Sequence, residues 1–317
     1  MNLSQLRFVR EAVRRNFNLT EVANTLYISQ PGVSKQIKEL EDELGVEIFE
    51  RRGKRLTGLT DPGRQLVPVI ERVLLDIRNL KKISEQFANQ DYGQLSIATT
   101  HTQARYALPG VVRAFKQRYP KVHLALHQAS PQQIAELVAR GEADIGMATE
   151  ALDLHPDILT VSAYSWEHSV IVPADHPLAG VADGELTLEQ IATYPLVTYE
   201  QGFTGRSKID AAFTAAGIET DVVLTAIDAD VIKAYVEAGF GIGITASMAF
   251  DAERDRGLVR LSAGHLFPLN TTRVGVRRGG YLRGFARELI RLIAPNVTDS
   301  ELDRFVHGGR QDGEEEI

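Results

Sequence analysis

Apolar residues at Leu3, Leu6, Phe8, Val9, Ala12 and Val13 recur at helical spacing, and Asn16 and Asn18 close the run. A shorter amphipathic stretch with Val22, Ala23 and Leu26 follows Thr20. Ser29 then stands as an N-cap, with Pro31 in a first turn where a missing amide hydrogen does no harm. A third helix is therefore expected from Gln30 through Val33, Ile37, Leu40 and Leu44 to a stop at Gly45. Two short helices joined by a tight turn form a helix-turn-helix. Val46, Ile48 and Phe49 alternate like a short strand, and Arg51-Arg52-Gly53-Lys54-Arg55 makes a basic hairpin tip before Leu56 to Thr60.

Thr60-Asp61-Pro62-Gly63 reads as the start of a long helix. Leu66, Ile70, Val73, Ile77, Leu80 and Phe87 fit a heptad seam interrupted only by Ser84, with Val67, Val69 and Leu75 adding apolar surface. A helix this apolar needs a partner: a second copy of the chain is the expected one, with packing within its own chain as the alternative. From Gln94 onward, strands and helices alternate. Leu95 to Thr99, Val122 to His127 and Ala143 to Ala148 are expected strands, with helices at Val111 to Arg118 and Pro131 to Val138 between them. A second series runs through His168 to Val172, Leu196 to Tyr199, Val222 to Thr225 and Gly241 to Thr245, with helices at Ser207 to Ala216 and Ala229 to Ala238. The chain returns with Thr271 to Arg277 and a helix from Tyr281 to Ile293. The expected class is α/β: a winged helix-turn-helix (residues 1–60), a dimerisation linker helix (61–90), and an effector domain (91–317) of two lobes resembling periplasmic binding proteins.

With 317 residues, the chain is long enough for at least two cores. It has no cysteine, which excludes disulfides, thiolate nucleophiles and sulfur-bound metals. No apolar run approaches a membrane span, and the first residues lack a signal-peptide pattern, so a cytoplasmic location is expected. The formal charge of −7 is uneven: residues 1–62 hold 10 Lys+Arg against 9 Asp+Glu, leaving 25 against 33 beyond them. The placement of the cations therefore matters more than their total. Gln30, Ser34, Lys35 and Lys38 come early on the third helix, whereas Glu39, Glu41, Asp42 and Glu43 come late, the order a base-reading helix needs. Ser29, Gln30, Pro31, Ser34, Lys35 and Lys38, together with the wing cations Arg51, Arg52, Lys54 and Arg55, are the expected DNA contacts.

Hydroxyl-rich segments recur where strands end and helices begin: Thr99-Thr100-His101-Thr102-Gln103, Thr149, and Thr204-Gly205-Arg206-Ser207. Helix-start amides with neutral hydroxyls suit a carboxylate or other anion. Trp166, the only tryptophan, is either a pocket wall or plain core. His123 and His127 lie four apart on a strand, about 13 Å along it, too far for one metal. No His-Glu-x-x-His, nucleophile elbow or Walker loop is present, so neither an enzyme nor a bound cofactor is expected. A small-anion module without DNA function would leave Ser29 to Leu44 and the wing unexplained, and an enzyme of sulfur-amino-acid metabolism would lack a nucleophile or cofactor lysine.

The segments Ser29-Gln30-Pro31-Gly32-Val33-Ser34 and Leu40-Glu41-Asp42-Glu43-Leu44-Gly45, followed by Phe49 and Arg51, resemble the LysR-type transcriptional regulators, and the likeness extends over the whole chain. Ile97 to Pro109, Ala148 to Leu152, Phe203 to Ser207 and Thr225 to Lys233 are similar to the CysB/Cbl subfamily. That resemblance implies a homotetramer acting at promoter DNA of sulfur-assimilation and cysteine-biosynthesis genes, in contact with RNA polymerase. It also implies a small-molecule effector such as N-acetylserine, O-acetylserine, sulfate or thiosulfate, held by Thr100, Thr102, Gln103, Thr149, Trp166 and Thr204. The subfamily's two roles stay open at this point. The acidic tail Asp312 to Ile317 departs from the pattern and reads as disordered.

Overall fold

The computed structural model describes residues 1–53, 55–88 and 91–307; Lys54 and the acidic tail lie outside the described residues. The chain divides into two units, Met1–Ser84 and Glu85–Ile317.

The first unit opens with α1 (Leu3–Arg14), started by a reciprocal capping box between Asn2 and Gln5. Asn18, read in the sequence as closing the first helix, instead caps α2 (Leu19–Leu26), its side-chain oxygen accepting from the amides of Thr20 and Glu21. The recognition helix α3 (Gln30–Leu44) starts at Ser29, whose hydroxyl accepts from the Gly32 amide, and ends on Gly45 in the left-handed region. Strands β1 (Phe49–Arg52) and β2 (Arg55–Leu59) form the wing as an antiparallel pair. Pairing begins at Phe49, opposite Leu59, later than the alternation from Val46 suggested; Ile48 is buried in the core before it, its amide donating to the Glu41 carboxylate. That core also contains Leu6, Val9, Val22, Val33, Ile37 and Leu40.

The linker helix α4 (Asp61–Ala88) is started by Thr60, whose hydroxyl accepts from the Gly63 amide at 3.0 Å. Its apolar residues serve two surfaces rather than one seam. Ile70 and Leu74 are buried in the helix-turn-helix core, with Leu66 and Val67 packed against it. Val73, Leu80 and Phe87, seven residues apart, are exposed, as is Val69. The expected seam thus loses Leu66 and Ile70 to the chain's own head and keeps a narrower heptad stripe for a partner.

The second unit carries two five-stranded sheets. In the first lobe, β3 (Gly93–Thr99) leads through a π-helical turn (Gln103–Ala107) into α5 (Leu108–Arg118), β4 (Val122–Gln128), α6 (Pro131–Arg140), β5 (Ile145–Ala148) and β6 (Ile158–Trp166). The chain crosses at Glu167 into β7 (His168–Pro173), α7 (Leu188–Ala192), β8 (Leu196–Tyr199), α8 (Arg206–Ala216), β9 (Val222–Ala226), α9 (Ala229–Glu237), β10 (Ile242–Ala246) and β11 (Leu258–Ser262). It returns with β12 (Asn270–Arg277), α10 (Gly284–Ile293) and α11 (Asp299–His307). The strand orders are β4-β3-β5-β12-β6 and β11-β7-β10-β8-β9. In each sheet three adjacent strands pair in parallel, and one strand, β12 or β7, runs against the other four, antiparallel to both its neighbours. The elements expected from the sequence did not include β6, β11, α7 or α11. The last turn of α4 belongs to this unit: Arg283 donates to the Glu85 carboxylate at 3.2 Å and to the Tyr92 carbonyl at 2.8 Å, and the Gly284 amide donates to Gln86 at 2.8 Å.

Candidate functional site

Two regions gather the residues singled out in the sequence, one in each unit. In the first, the exposed face of α3 presents Lys35 and Lys38, each in a loose i,i+4 pair, with Glu39 and Asp42 respectively, at 3.7 Å. Pairs that exposed hold a cation weakly and leave it available to phosphate. Ser29 is engaged in capping, while Gln30 at the helix start shares a cavity of about 620 Å³ with Asn18, Thr20 and Arg55. The fold therefore brings the first residue of the recognition helix and the far strand of the wing to one concavity. Arg52 is exposed at the end of β1. Arg51 is held differently: its guanidinium donates to Glu41 at 2.7 Å. Lys54 lies outside the described residues.

In the second unit, the parallel strands of each sheet deliver their carboxyl ends to the junction between lobes, where ligands of open α/β sheets bind. Thr99 ends β3, and Thr100, Thr102 and Gln103 follow it; all four are buried. Gln103 Nε2 and Trp166 Nε1 both donate to Thr272 Oγ1 at 3.1 Å, and Tyr164 donates to Gln103 Oε1. Trp166 is thus a wall of this cluster, with His168 edge-on to its ring at 5.1 Å. Thr149 and Thr204 are linked through their neighbours: Glu150, following Thr149, accepts the Gly205 amide at 2.5 Å. The Thr204 carbonyl meets His168 Nε2 at 3.0 Å. No hydrogen bond joins Thr100 directly to Thr149 or Thr204 among the described contacts.

The hydrogen bonding of this region is incomplete. Thr99 Oγ1, Ser169 Oγ, Thr245 Oγ1 and Asn270 Oδ1 are buried with no partner among the described residues. Thr102 Oγ1 lies by the Tyr199 hydroxyl but makes no well-formed bond to it. Buried polar atoms are nearly always paired in native proteins, so this set from both lobes, hydroxyls that can donate and one amide oxygen that accepts, has the hydrogen-bonding chemistry of a ligand site. The nearby cations are committed elsewhere: Arg206 to Asp210 at 2.7 Å and the Tyr199 carbonyl at 2.5 Å, Arg105 to Asp230 at 2.7 Å. Burial lowers the His168 pKa to about 4, leaving the ring neutral, and raises that of Tyr164 to about 12 and that of Glu150 above the usual carboxylate range.

Beside this region, a charged cluster ties the lobes together. His101 Nε2 lies 2.9 Å from Asp230, Tyr106 donates to Asp230 at 2.5 Å, and Lys233 meets Tyr106 at 3.0 Å and Asp255 at 2.9 Å. His101, Asp228 and Asp230 offer ligand atoms within 4.8 Å of one another. Arg105 and Lys233 already compensate Asp230, so the group is better suited to an ion network than to a metal.

Sequence reasoning missed Glu150, His168, Asn270, Tyr164 and Thr272 as members of the site. The position of Glu150 beside Thr149 was a usable signal; His168, Asn270 and Thr272 gave none, because β7 and β12 are placed there by the crossings between lobes.

Comparison with known proteins agrees with this geometry. Residues 3–64 match the bacterial regulatory helix-turn-helix protein, lysR family, and residues 88–297 match the LysR substrate binding domain. The chain is 64% identical to the HTH-type transcriptional regulator SsuR of Burkholderia cenocepacia, covering 95% of this chain and 97% of that protein. It is 52% identical to CysB of the same organism, over 97% of this chain and 98% of that one. Among solved structures, the cofactor-binding domain of the Cbl transcriptional regulator superimposes with a TM-score of 0.65 at 46% identity, covering 68% of this chain and 93% of that one.

Proposed function

Because this chain belongs to the LysR family of transcriptional regulators and groups with SsuR, CysB and Cbl, we propose that it controls genes of sulfur assimilation and cysteine biosynthesis. It is a regulator, not an enzyme, and binds promoter DNA through its helix-turn-helix. In this reading Gln30, Ser34, Lys35 and Lys38 face the major groove while Arg52 and Arg55 lie on phosphate. The exposed Val73, Leu80 and Phe87 stripe pairs two copies, two such dimers form a tetramer, and the bound assembly contacts RNA polymerase.

The effector is a small anion held between the lobes by Thr100, Thr102, Gln103, Thr149 and Thr204 against Trp166: N-acetylserine, O-acetylserine, or a sulfur oxyanion such as sulfate or thiosulfate. The observation that carries this reading is the set of buried hydroxyls from both lobes, Thr99, Thr102, Ser169 and Thr245, that have no partner among the described residues. Neutral donors suit a ligand that must leave again, because they strand no buried cation when it goes. A second reading, Cbl-type control of sulfate-starvation genes, draws on the 48% identity to Cbl of Escherichia coli over the whole chain. Calorimetry of the full chain with N-acetylserine, O-acetylserine, sulfate and adenosine phosphosulfate tests the effector. Footprinting on cysteine-biosynthesis and sulfate-starvation promoters, with and without the ligand that binds, separates the two roles. Binding of none of these ligands would refute the proposed effector class.

A further inference from the structure

Glu150 is a carboxylate placed where an anion site would not be expected to have one. It follows β5 in the first lobe, and its Oε1 accepts the Gly205 amide at 2.5 Å at the start of α8 in the second. Its other oxygen, Oε2, is buried and has no partner among the described residues. Asn270, fully buried, adds an unpartnered Oδ1 at the same place: a Cβ on Gly205 would come within 2.4 Å of it. The contact therefore joins one acceptor already used to two acceptors that lack a donor. Gly205 must remain glycine for both reasons, its close approach to Asn270 and its φ of +72°. The backbone on either side of the contact is unusual too, with Ala151 at φ 71° and Thr204 at φ 45°. Lys208 supplies the nearby positive charge, and His168 is neutral.

Resting on the interlobe effector site described above, we propose that Glu150 determines its specificity: the free oxygen accepts a hydrogen bond from an effector carrying an N–H or O–H, and the charge disfavours bare oxyanions. The hydroxyls of Thr99, Thr102 and Thr245 can donate to the carboxylate of such an effector, while Glu150 and Asn270 accept from its donor end. A bare oxyanion such as sulfate has no donor for those two acceptors and meets the Glu150 charge directly. Burial, which already raises the Glu150 pKa, makes that meeting more costly.

Glu150→Gln tests this, because glutamine keeps an acceptor for the Gly205 amide while turning the free acceptor into a donor. Calorimetry on the full chain should show sulfate binding several-fold more tightly and N-acetylserine several-fold more weakly, a selectivity change of at least tenfold. A carboxylate that only caps α8 would move both affinities in the same direction or neither, and either result would overturn the proposal. A ligand pair keeps the test independent of the variant's folding: the unaltered protein should prefer N-acetylglycine to acetoxyacetate, which differs by an ester oxygen in place of N–H. Equal affinity for that pair would also overturn it. Thr100→Val separates the two layers of the reading. If it leaves binding of both sulfate and N-acetylserine intact, the interlobe site itself is wrong; if it weakens both while Glu150→Gln changes nothing, only the role of Glu150 is wrong.

Discussion

Arg51 and Glu41 form a partly buried ion pair that fixes the wing to the recognition helix. Arg51 Nη2 donates to Glu41 Oε2 at 2.7 Å, while Oε1 accepts from the amides of Ile48 and Phe49 at 2.9 and 3.1 Å. Glu41 is 5% exposed, against 26% for the Arg51 side chain. One carboxylate therefore organises the turn from α3 into β1, and the first cation of the basic tip is structural in this arrangement. Arg51→Ala should destabilise the protein by about 1–3 kcal/mol, since it leaves a buried carboxylate short of a charged donor. DNA affinity should weaken through the displaced wing, with the salt dependence of binding retained. Urea unfolding and salt-titrated binding check both parts; a salt slope reduced by about one would place Arg51 on a phosphate instead.

Arg52 and Arg55 are expected to behave in the opposite way. Neither is ion-paired in the contacts described, and Arg55 shares its cavity with Gln30. Replacing both with alanine should lower the slope of log Kobs against log salt by roughly 2, at the usual ~0.9 per phosphate contact, with similar losses on all sequences. Gln30→Ala should instead reduce discrimination between operator and random DNA by roughly 1–3 kcal/mol, the value of a bidentate base contact. Equal losses on both DNAs would make Gln30 a backbone contact.

The parts of this protein legible in its sequence were those set by neighbours in the chain. Ser29, Pro31 and Gly45 define α3 through cap chemistry that needs no tertiary information, and the structure agrees. Asn18 was misread because an asparagine between two helices can end one or begin the next; here it begins α2. In α4 the period was clear but the destination was not. Leu66 and Ile70 look the same in sequence as Val73 and Leu80, and only the fold of the head decides which pair is covered. Strand β6 carried a readable signal that was passed over: Val161 and Ala163 alternate with Thr160, Ser162 and Tyr164, and the phase changes only beyond Ala163, where the register with β12 shifts. The hydroxyls of the effector site announced themselves at strand ends. Their neighbours Asn270 and Thr272 did not, since they meet His168, Trp166 and Gln103 from 102 to 169 positions away, after the chain has crossed between lobes twice; His168 reaches Thr204 from 36 positions away, through the folding of the second lobe.

The narrowed stripe on α4 gives a test of association. Leu80 and Phe87 are 66% and 79% exposed, large apolar surfaces that a helix pairing with its mate would cover. Changing both to serine removes that surface without touching Ile70 or Leu74 in the core. Sedimentation should then show dissociation at protein concentrations where the parent stays associated, while circular dichroism and melting of the head remain close to those of the parent. Retained assembly would move the interface elsewhere.

The His101–Asp230 contact across the lobes should make stability depend on pH. Burial lowers the His101 pKa, but the hydrogen bonds to Asp230 and Gln128 and the charges of Asp228 and Asp230 outweigh it, for a net rise. Arg105 and Lys233 oppose part of that effect from either side of Asp230. A folded pKa above the unfolded value contributes stability that is fully present below the ordinary imidazole pKa and is lost as pH rises through the folded one. His101→Asn should therefore lower the melting temperature most at about pH 5.5 and least at about pH 8.5. A difference that grew with pH would contradict the assignment.

Thr102 offers the sharpest separation between a residue kept for structure and one kept for ligand. Its hydroxyl is buried without a well-formed bond, at a residue 1% exposed. An unpaired buried hydroxyl costs folding free energy, so Thr102→Val, which keeps the shape, should leave the ligand-free protein as stable as the parent or more stable by about 1 kcal/mol. The same change removes a donor from the proposed effector site and should weaken binding of N-acetylserine by about 1–3 kcal/mol. DNA binding without effector should survive, because the hydroxyl lies in the other unit from α3. A structural threonine would show the reverse pattern, lower stability with unchanged affinity. Melting of the ligand-free variant and calorimetry with N-acetylserine decide between the two, and a loss of stability with affinity intact would remove Thr102 from the site.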